Sequence, residues 1–254
     1  MPERSFLRVG HKGADAIEPG NTLASFRAAV ATGVDMIEFD VLRPQSDFAD
    51  GSEWRTASAG PARGTGPLVV AHDWADARSR SPLTLAEALD AFTEPPLDDV
   101  RIDLDLKLAG REDEVVAALR ERRLIERAMT STMEVRSIHA VGEYGPELRR
   151  GWTLPKIGRD WTRSRMARPL VVAGLATMRA RLPNVIRRHA PRLGVKAIWL
   201  YHQVATPALA EAVHACDCDL ICWTVDEQPR IEALLALGAD GICSNDPQLF
   251  NERL

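Results

Sequence analysis

The chain is organised by a regular alternation of short apolar segments with segments of helical periodicity. It begins with a predicted strand over residues 6–10, a helix capped by Asn21-Thr22 that ends before Gly33, and a second strand over 34–41. A strand, a helix and a strand in this order predict a right-handed crossover between parallel strands. Because the alternation continues through 254 residues, the sequence predicts an α/β protein and favours a (β/α)₈ TIM barrel over an open doubly wound sheet.

Nine segments have the composition of strands, although such a barrel has places for eight. They are residues 6–10, 34–41, 68–71, 100–107, 129–131, 150–154, 197–201, 220–225 and 240–243. At least one of these assignments is therefore wrong. Residues 43–67 are rich in Gly and Pro and have no helical period, so the connection between the second and third predicted strands lacks a helix. We expect one domain over 1–254 with a loop insertion at about 43–67, and two helices, 169–182 and 184–190, divided by Pro183.

The composition narrows the class of protein. A formal net charge of −4 argues against general nucleic-acid binding. No apolar run approaches the ~20 residues of a membrane-spanning helix, and the N-terminus lacks the apolar core of a secretory signal. We therefore expect a cytoplasmic protein without stable membrane insertion, and no pattern predicts an oligomeric state. The cysteines, which are Cys216, Cys218, Cys222 and Cys243, lack the paired spacing of a structural zinc site and are expected to be reduced core residues.

Two carboxylates lie on one face of the second predicted strand. Side chains alternate along a strand, so Glu38 and Asp40 point one way while Ile37 and Phe39 point the other. Like charges this close in an apolar segment cost free energy unless a cation, a proton or a basic partner compensates them, and the pattern points to a divalent ion. The other interpretation is an edge strand with both acids in water.

Further polar residues stand at or near the C-terminal ends of successive predicted strands. They are His11, Glu38 with Asp40, His72, and Asp105 with Lys107. In a barrel these ends converge on the face where active sites are built. Each histidine taken singly is compatible with a structural role, but together the residues favour a site.

The residue types suit one kind of chemistry. Three carboxylates, Glu38, Asp40 and Asp105, make an oxygen-rich set suited to Mg²⁺ or Ca²⁺. Two histidines on opposite sides can divide the general-base and general-acid duties of ester hydrolysis. Lys12 and Lys107 add positive charge, so the pocket should favour an anionic small molecule such as a phosphodiester.

These residues stand in short motifs that resemble the glycerophosphodiester phosphodiesterases. In chain order the motifs are Val9-Gly-His-Lys-Gly13, Glu18-Pro-Gly-Asn-Thr22, Ile37-Glu-Phe-Asp40, Val70-Ala-His-Asp73, Asp103-Leu-Asp-Leu-Lys107, Cys222-Trp-Thr-Val225 and Gly238-Ala-Asp-Gly-Ile242. The resemblance covers nearly the whole chain. It implies a metal-dependent TIM-barrel hydrolase that lacks one usual helix and cleaves glycerophosphodiesters to glycerol 3-phosphate and an alcohol.

The resemblance also implies roles for single residues. His11 and His72 correspond to the acid/base pair, and Glu38, Asp40 and Asp105 correspond to ligands of Mg²⁺ or Ca²⁺. On the substrate side, Lys107 corresponds to a phosphate-side cation, Lys12 stands at a phosphate-binding position, and Trp223 is similar to a late tryptophan near the pocket. A packed core aromatic is the other interpretation of Trp223.

Three positions depart from the family's usual pattern. The family usually has Arg where this chain has Lys12, Glu where it has Gly20, and Glu where it has Asp105. Glu18 is a candidate to supply the carboxylate missing at position 20. The changes at positions 12 and 20 keep two alternatives open: a diverged member that binds an anionic phosphorylated metabolite without catalysis, or one that hydrolyses a different phosphodiester. An unrelated aldolase or isomerase barrel ranks last, because only Lys107 is a candidate for a Schiff-base lysine.

Overall fold

Parallel strands close into a barrel in the computed structural model, which describes residues 6–43, 66–156 and 168–251. The described strands are β1 (Leu7–His11), β2 (Met36–Leu42), β3 (Val69–Val70), β4 (Arg101–Leu106), β5 (Ala128–Thr132), β6 (Arg149–Leu154), β7 (Ala197–Tyr201), β8 (Asp219–Trp223) and β9 (Gly241–Ser244). All of them except β3 pair in parallel around the barrel, and β1 closes it by pairing with both β2 and β9. The predicted TIM barrel is confirmed.

Helices pack around the outside of the barrel. The described α-helices are α1 (Leu23–Ala31), α2 (Trp74–Ser79), α3 (Leu85–Ala91), α4 (Glu112–Glu121), α5 (Val135–Tyr144), α6 (Arg168–Leu193), α7 (Pro207–His214) and α8 (Gln228–Leu237). None of the helices in the described ranges is long and apolar enough to cross a membrane.

The assignment of residues 68–71 as a barrel strand is wrong. β3 has two residues and runs antiparallel to the end of β2, with Val70 opposite Val41. Its place follows from β1, whose pairing with β2 ends at Glu38 and leaves the edge of the last residues of β2 open. The third barrel strand is therefore β4, and α2 and α3 lie in the connection that leads to it. The predicted helix-free loop at 43–67 falls mostly on 44–65, outside the described residues.

The predicted helix break at Pro183 is also wrong. α6 continues from Arg168 to Leu193 with Pro183 inside it. Proline in a helix interior removes a hydrogen bond and crowds the preceding turn, which costs about 3 kcal/mol. Here the helix buries Leu182, Ile186 and Ala190 in the core that it shares with the barrel, and this burial offsets the local cost.

An aromatic cluster fixes which face of β2 points into the barrel. Phe39 of β2 packs against Phe26 of α1 and against Phe92, which follows α3, with ring centroids 5.3 to 5.6 Å apart. All three side chains are fully buried between the barrel and its helices. Because side chains alternate along a strand, Glu38 and Asp40 point into the barrel.

The cysteines are core residues, as predicted. All four are free thiols; Cys218, Cys222 and Cys243 are buried and Cys216 is half-buried. Burial raises the pKa of Cys222 to about 12. Burial also raises the pKa of Cys218 and Cys243, so these three cysteines are thiols at neutral pH that pack as small apolar side chains.

An ion pair between β1 and the start of β2 makes the stability depend on pH. Asp35 accepts hydrogen bonds of 2.8 to 2.9 Å from the backbone and the guanidinium of Arg8. Burial alone would raise the pKa of Asp35, but the hydrogen bonds from Arg8 outweigh it and hold this pKa below its ordinary value of 3.8. A carboxyl group with a lowered pKa stabilises the fold above its unfolded-state pKa, and the contribution disappears as the pH falls through the folded-state pKa.

We expect Asp35→Asn to lower the free energy of unfolding at pH 7 by about 1 kcal/mol, since both side chains are about one-third exposed and solvent weakens the pair. The difference from the wild type should shrink as the pH falls below about 4, where the carboxyl group of the wild type is itself protonated. Urea titrations at neutral and acidic pH measure it, with the exposed Glu18→Gln as the control variant. An equal difference at both pH values would contradict the prediction.

Candidate active site

Strand register brings the predicted residues to one end of the barrel. His11 on β1 lies opposite Glu38 on β2, and Asp40 lies opposite Asp105 on β4. Glu38 is 4% exposed and Asp40 is fully buried. The interpretation of strand 34–41 as a solvated edge is therefore excluded for these two acids.

Three carboxylates form a compact cluster at this end. Glu38, Asp40 and Asp105 each offer an oxygen atom, and these three atoms lie within 4.8 Å of one another. Lys107, which follows β4, extends its ammonium group between two of them. Its Nζ lies 2.5 Å from Oδ1 of Asp40 and 2.5 Å from Oδ2 of Asp105.

The charges of this cluster act strongly on one another. Burial would raise the pKa of Asp40, but Lys107 and the two histidines hold it well below its usual range. Burial, followed by the charge of Asp40, raises the pKa of Glu38. For Lys107, burial alone would lower the pKa, whereas Asp105, Asp40 and Glu38 hold it well above the ordinary value. The cluster is thus an acidic site in which the ammonium of Lys107 contacts two of the three acids.

The donor set fits a hard divalent cation. Oxygen atoms of three carboxylates are the ligands that Mg²⁺ and Ca²⁺ prefer. Oδ1 of Asp40 has an ion-pair contact with Lys107 that lacks hydrogen-bond geometry, and no other group in the described ranges donates a hydrogen bond to it. The space between Asp40 and Asp105 is thus one that already holds a positive charge.

Asn21 is a site residue that the sequence analysis treated only as part of a helix cap. Thr22 alone caps α1, by accepting a hydrogen bond from Ser25 N. Asn21 is 1% exposed; its Nδ2 donates to Oδ2 of Asp40 at 2.7 Å, and its Oδ1 accepts from the backbone N of Asp40 at 3.0 Å. A φ of +60° at Asn21, which asparagine tolerates, turns the side chain inward. The Pro-Gly-Asn-Thr motif was the signal for it.

His11 is held at the edge of the carboxylate cluster. Its Nδ1 lies 2.6 Å from Oδ1 of Asn245, and its Nε2 lies 3.9 Å from Oε2 of Glu38. Burial, followed by the charge of Lys12, lowers the pKa of His11 to about 4. The imidazole is therefore neutral at neutral pH and has a lone pair that can accept a proton.

His72 has a contrasting environment. It follows β3, its side chain is 55% exposed, and its Nδ1 lies 3.2 Å from Oδ2 of Asp73. Because β3 pairs with the last residues of β2, His72 lies at the same end of the barrel as the cluster. The two histidines thus differ in exposure and in hydrogen-bond partner.

Asp15 supplies the carboxylate near Lys12. The Nζ of Lys12 lies 3.3 Å from Oδ2 of Asp15, and Gly20 N donates to Oδ1 of Asp15 at 2.8 Å. A Cβ atom at position 20 would lie 2.5 Å from Oδ1 of Asp15, so Asp15 occupies the space that a side chain there would enter. Glu18, the candidate for this role, is exposed, and its role stays a prediction.

Trp223 lies at one end of the barrel interior. It ends β8, lies opposite Tyr201 in register, and has its ring 5.6 Å from that of Tyr201. Its side chain packs against the apolar residues inside the barrel. No group in the described part of the chain accepts a hydrogen bond from its buried indole N–H. Trp223 is therefore a core aromatic at the end of the barrel where the polar residues converge.

A parallel barrel with acids and a histidine, His11, at the C-terminal ends of its strands defines a TIM-barrel enzyme. The sequence model of the "Glycerophosphoryl diester phosphodiesterase family" matches residues 11–43 and 94–249. The chain belongs to this family and is a phosphodiester hydrolase. The matched segments contain His11, the three carboxylates and Lys107, whereas His72 lies between them.

Known proteins resemble the chain over nearly its full length. It is 25% identical to glycerophosphodiester phosphodiesterase of Caldanaerobacter subterraneus subsp. tengcongensis, over 95% of each chain. It is 26% identical to "Probable glycerophosphodiester phosphodiesterase 2" of Mycobacterium tuberculosis, over 100% of this chain and 94% of that protein. The fold also matches an Oleispira antarctica phosphodiesterase solved with the product sn-glycerol-3-phosphate. That match has a TM-score of 0.62 and 17% identity, and covers 96% of this chain and 94% of the other.

Proposed function

We propose that this protein hydrolyses glycerophosphodiesters to glycerol 3-phosphate and an alcohol in a reaction that requires Mg²⁺ or Ca²⁺. The observation that carries the proposal is the cluster of Glu38, Asp40 and Asp105, with oxygen atoms within 4.8 Å of one another beside the neutral His11. A cation held by these carboxylates would neutralise charge that develops on the phosphoryl oxygens.

The two histidines divide the proton transfers in this proposal. Nε2 of His11 accepts a proton from the attacking water as the new O–P bond forms. His72 donates a proton to the alcohol oxygen as the other O–P bond breaks. The neutral, half-buried state of His11 supports its role as the base, and the position of His72 at the exposed side supports its role beside the leaving group.

The cationic side chains hold the substrate. Lys107 lies between Asp40 and Asp105, where its ammonium group can also face a phosphate. Lys12 contributes a second positive charge, which Asp15 partly neutralises. Trp223, which ends β8, would border the substrate at the same end of the barrel.

An activity assay tests the proposal. Purified protein is incubated with glycerophosphocholine or glycerophosphoethanolamine in the presence of Mg²⁺, Ca²⁺ or EDTA, and released glycerol 3-phosphate is measured. We expect release with a divalent cation and none with EDTA. For these substrates the proposal fails if the wild type with added metal releases no more product than His11→Ala.

The alternative is a diverged family member that binds an anionic phosphorylated metabolite without catalysis. It rests on Lys12, a single ammonium where the family usually has a guanidinium. The same preparation distinguishes it, because a binder retains glycerol 3-phosphate in a calorimetric titration but shows no turnover. Turnover of a phosphodiester other than the two glycerophosphodiesters would favour a hydrolase with a different substrate.

We expect Asn21→Gly to weaken binding of the divalent cation about 10- to 100-fold, the usual effect of removing a group that orients a metal ligand. The variant deletes both hydrogen bonds between the amide and Asp40. Glycine also tolerates the positive φ, so the backbone is not strained. Calorimetric titration with Mg²⁺ or Ca²⁺ measures the change, and an affinity within threefold of the wild type would contradict the role of Asn21.

A further inference from the structure

A chain of hydrogen bonds leads from His11 to a carboxylate outside the cluster. Nδ1 of His11 lies 2.6 Å from Oδ1 of Asn245, which follows β9. Nδ2 of Asn245 donates to Oδ2 of Asp226 at 2.7 Å. Asn245 therefore stands between the neutral histidine and an acid that does not touch it.

The surroundings of Asp226 determine which atoms donate and which accept in these hydrogen bonds. Its Oδ1 accepts hydrogen bonds from the backbone N of Asn245 at 2.8 Å and from Oγ of Ser244 at 3.0 Å. With the amide of Asn245, three donors point at one carboxylate, which as an anion can only accept. The amide nitrogen of Asn245 must then face Asp226, and its oxygen must face His11.

The orientation of the amide decides the protonation of the imidazole. An amide oxygen only accepts hydrogen bonds, so the ring nitrogen beside it must carry the hydrogen. In a neutral ring the other nitrogen then has the lone pair. For His11 this nitrogen is Nε2, which faces Glu38 at 3.9 Å.

We propose that Asn245, oriented by Asp226, is a positioning residue that holds His11 as the Nδ1–H tautomer and leaves the lone pair of Nε2 directed into the active site. The inference rests on the proposed function, because it assigns the nitrogen that accepts the proton during hydrolysis. It adds Asn245 and Asp226 to the groups that determine the rate, although neither touches the reacting atoms.

Nitrogen NMR of ¹⁵N-histidine-labelled protein tests the tautomer without turnover. The His11 signals are assigned by their loss in His11→Asn, and the two neutral tautomers differ in their nitrogen shifts. We expect the Nδ1–H form in the wild type and a mixture in Asn245→Ala. A His11 that is Nε2–H in the wild type, or a tautomer unchanged in Asn245→Ala, would overturn the inference.

Kinetics separate positioning from folding. We expect Asn245→Ala to lower kcat on the order of 100-fold with KM within about threefold, as loss of an oriented base predicts. The matched control Asn251→Ala, whose exposed amide bonds to Thr32 O, should keep wild-type kcat. A kcat for Asn245→Ala within twofold of the wild type would overturn the inference.

An exchange of the two side chains addresses the mechanism directly. Asn245→Asp alone places two carboxylates against each other and should impair the enzyme. Adding Asp226→Asn restores a donor toward position 245 and an acceptor toward His11, so the double variant should recover kcat to within about tenfold of the wild type. If the double variant has the wild-type melting temperature but does not recover kcat, the inference is overturned. If the wild type has the Nδ1–H tautomer but no phosphodiesterase activity, the proposed function fails while the assignment of the tautomer stands.

Discussion

His11→Asn is expected to lower kcat about 10²- to 10⁴-fold, the range that general acid/base groups contribute. The half-buried imidazole is neutral, because partial burial and then Lys12 lower its pKa to about 4, and its Nε2 faces the carboxylate cluster. Asparagine retains a polar side chain of similar size but has no basic nitrogen. The loss should therefore appear in kcat.

Two measurements accompany this experiment. Calorimetric titration should show that the affinity of His11→Asn for the divalent cation stays within a few-fold of the wild type, because His11 is not one of the proposed cation ligands. His139→Asn is the matched control, since His139 is exposed on α5. Should His11→Asn keep kcat within threefold of the wild type, His11 is not the base, and the division of roles between the two histidines is wrong.

Asp40→Asn is expected to weaken divalent-cation binding by more than about 100-fold and to abolish cation-dependent hydrolysis. Loss of a group that only orients a ligand costs up to about 100-fold, and Asp40 is itself a proposed ligand. The change removes the charge of a fully buried carboxylate that lies 2.5 Å from Lys107 and accepts a hydrogen bond from Asn21. Only Glu38 and Asp105 then remain to attract a divalent cation, and the positive charge of Lys107 largely cancels their negative charge.

Calorimetric titration with Mg²⁺ and Ca²⁺ measures this loss, with the exposed Asp98→Asn as the matched control. Because Asp40 is buried, the melting temperature is recorded in parallel, and Asp105→Asn, with its carboxylate 14% exposed, provides a second variant of the same cluster. Unchanged cation affinity in both folded variants would show that the ion, if required, binds elsewhere.

The departures from the family's usual pattern have different structural consequences. At position 20 the missing side chain is matched by Asp15, which fills the same space and holds Lys12. Glycine at position 20 thus leaves room for the Asp15 carboxylate beside the ammonium group of Lys12. At position 105 the shorter acid still reaches the cluster, since its oxygen lies within 4.8 Å of those of Glu38 and Asp40.

The sequence predicted the parts of the fold and the site that depend on local geometry. The alternation of strands and helices defined the barrel, because each crossover is local and has a fixed hand. Alternation of side chains along a strand placed Glu38 and Asp40 on one face, and the ends of parallel strands brought them near His11 and Asp105. The metal-binding and catalytic roles of these residues stay predictions.

Contacts between residues distant in the sequence decided the features that local patterns did not predict. A two-residue β3 resembled a barrel strand in sequence, and only the open edge of β2 placed it outside the barrel. Pro183 lies within a continuous α6 because burial against the barrel outweighs the local cost. Asn245 lies 234 residues from His11 in the sequence, and no sequence motif indicated that the two side chains meet. Its role depends on hydrogen bonds between the ends of β1, β8 and β9, and only closure of the barrel brings these ends together.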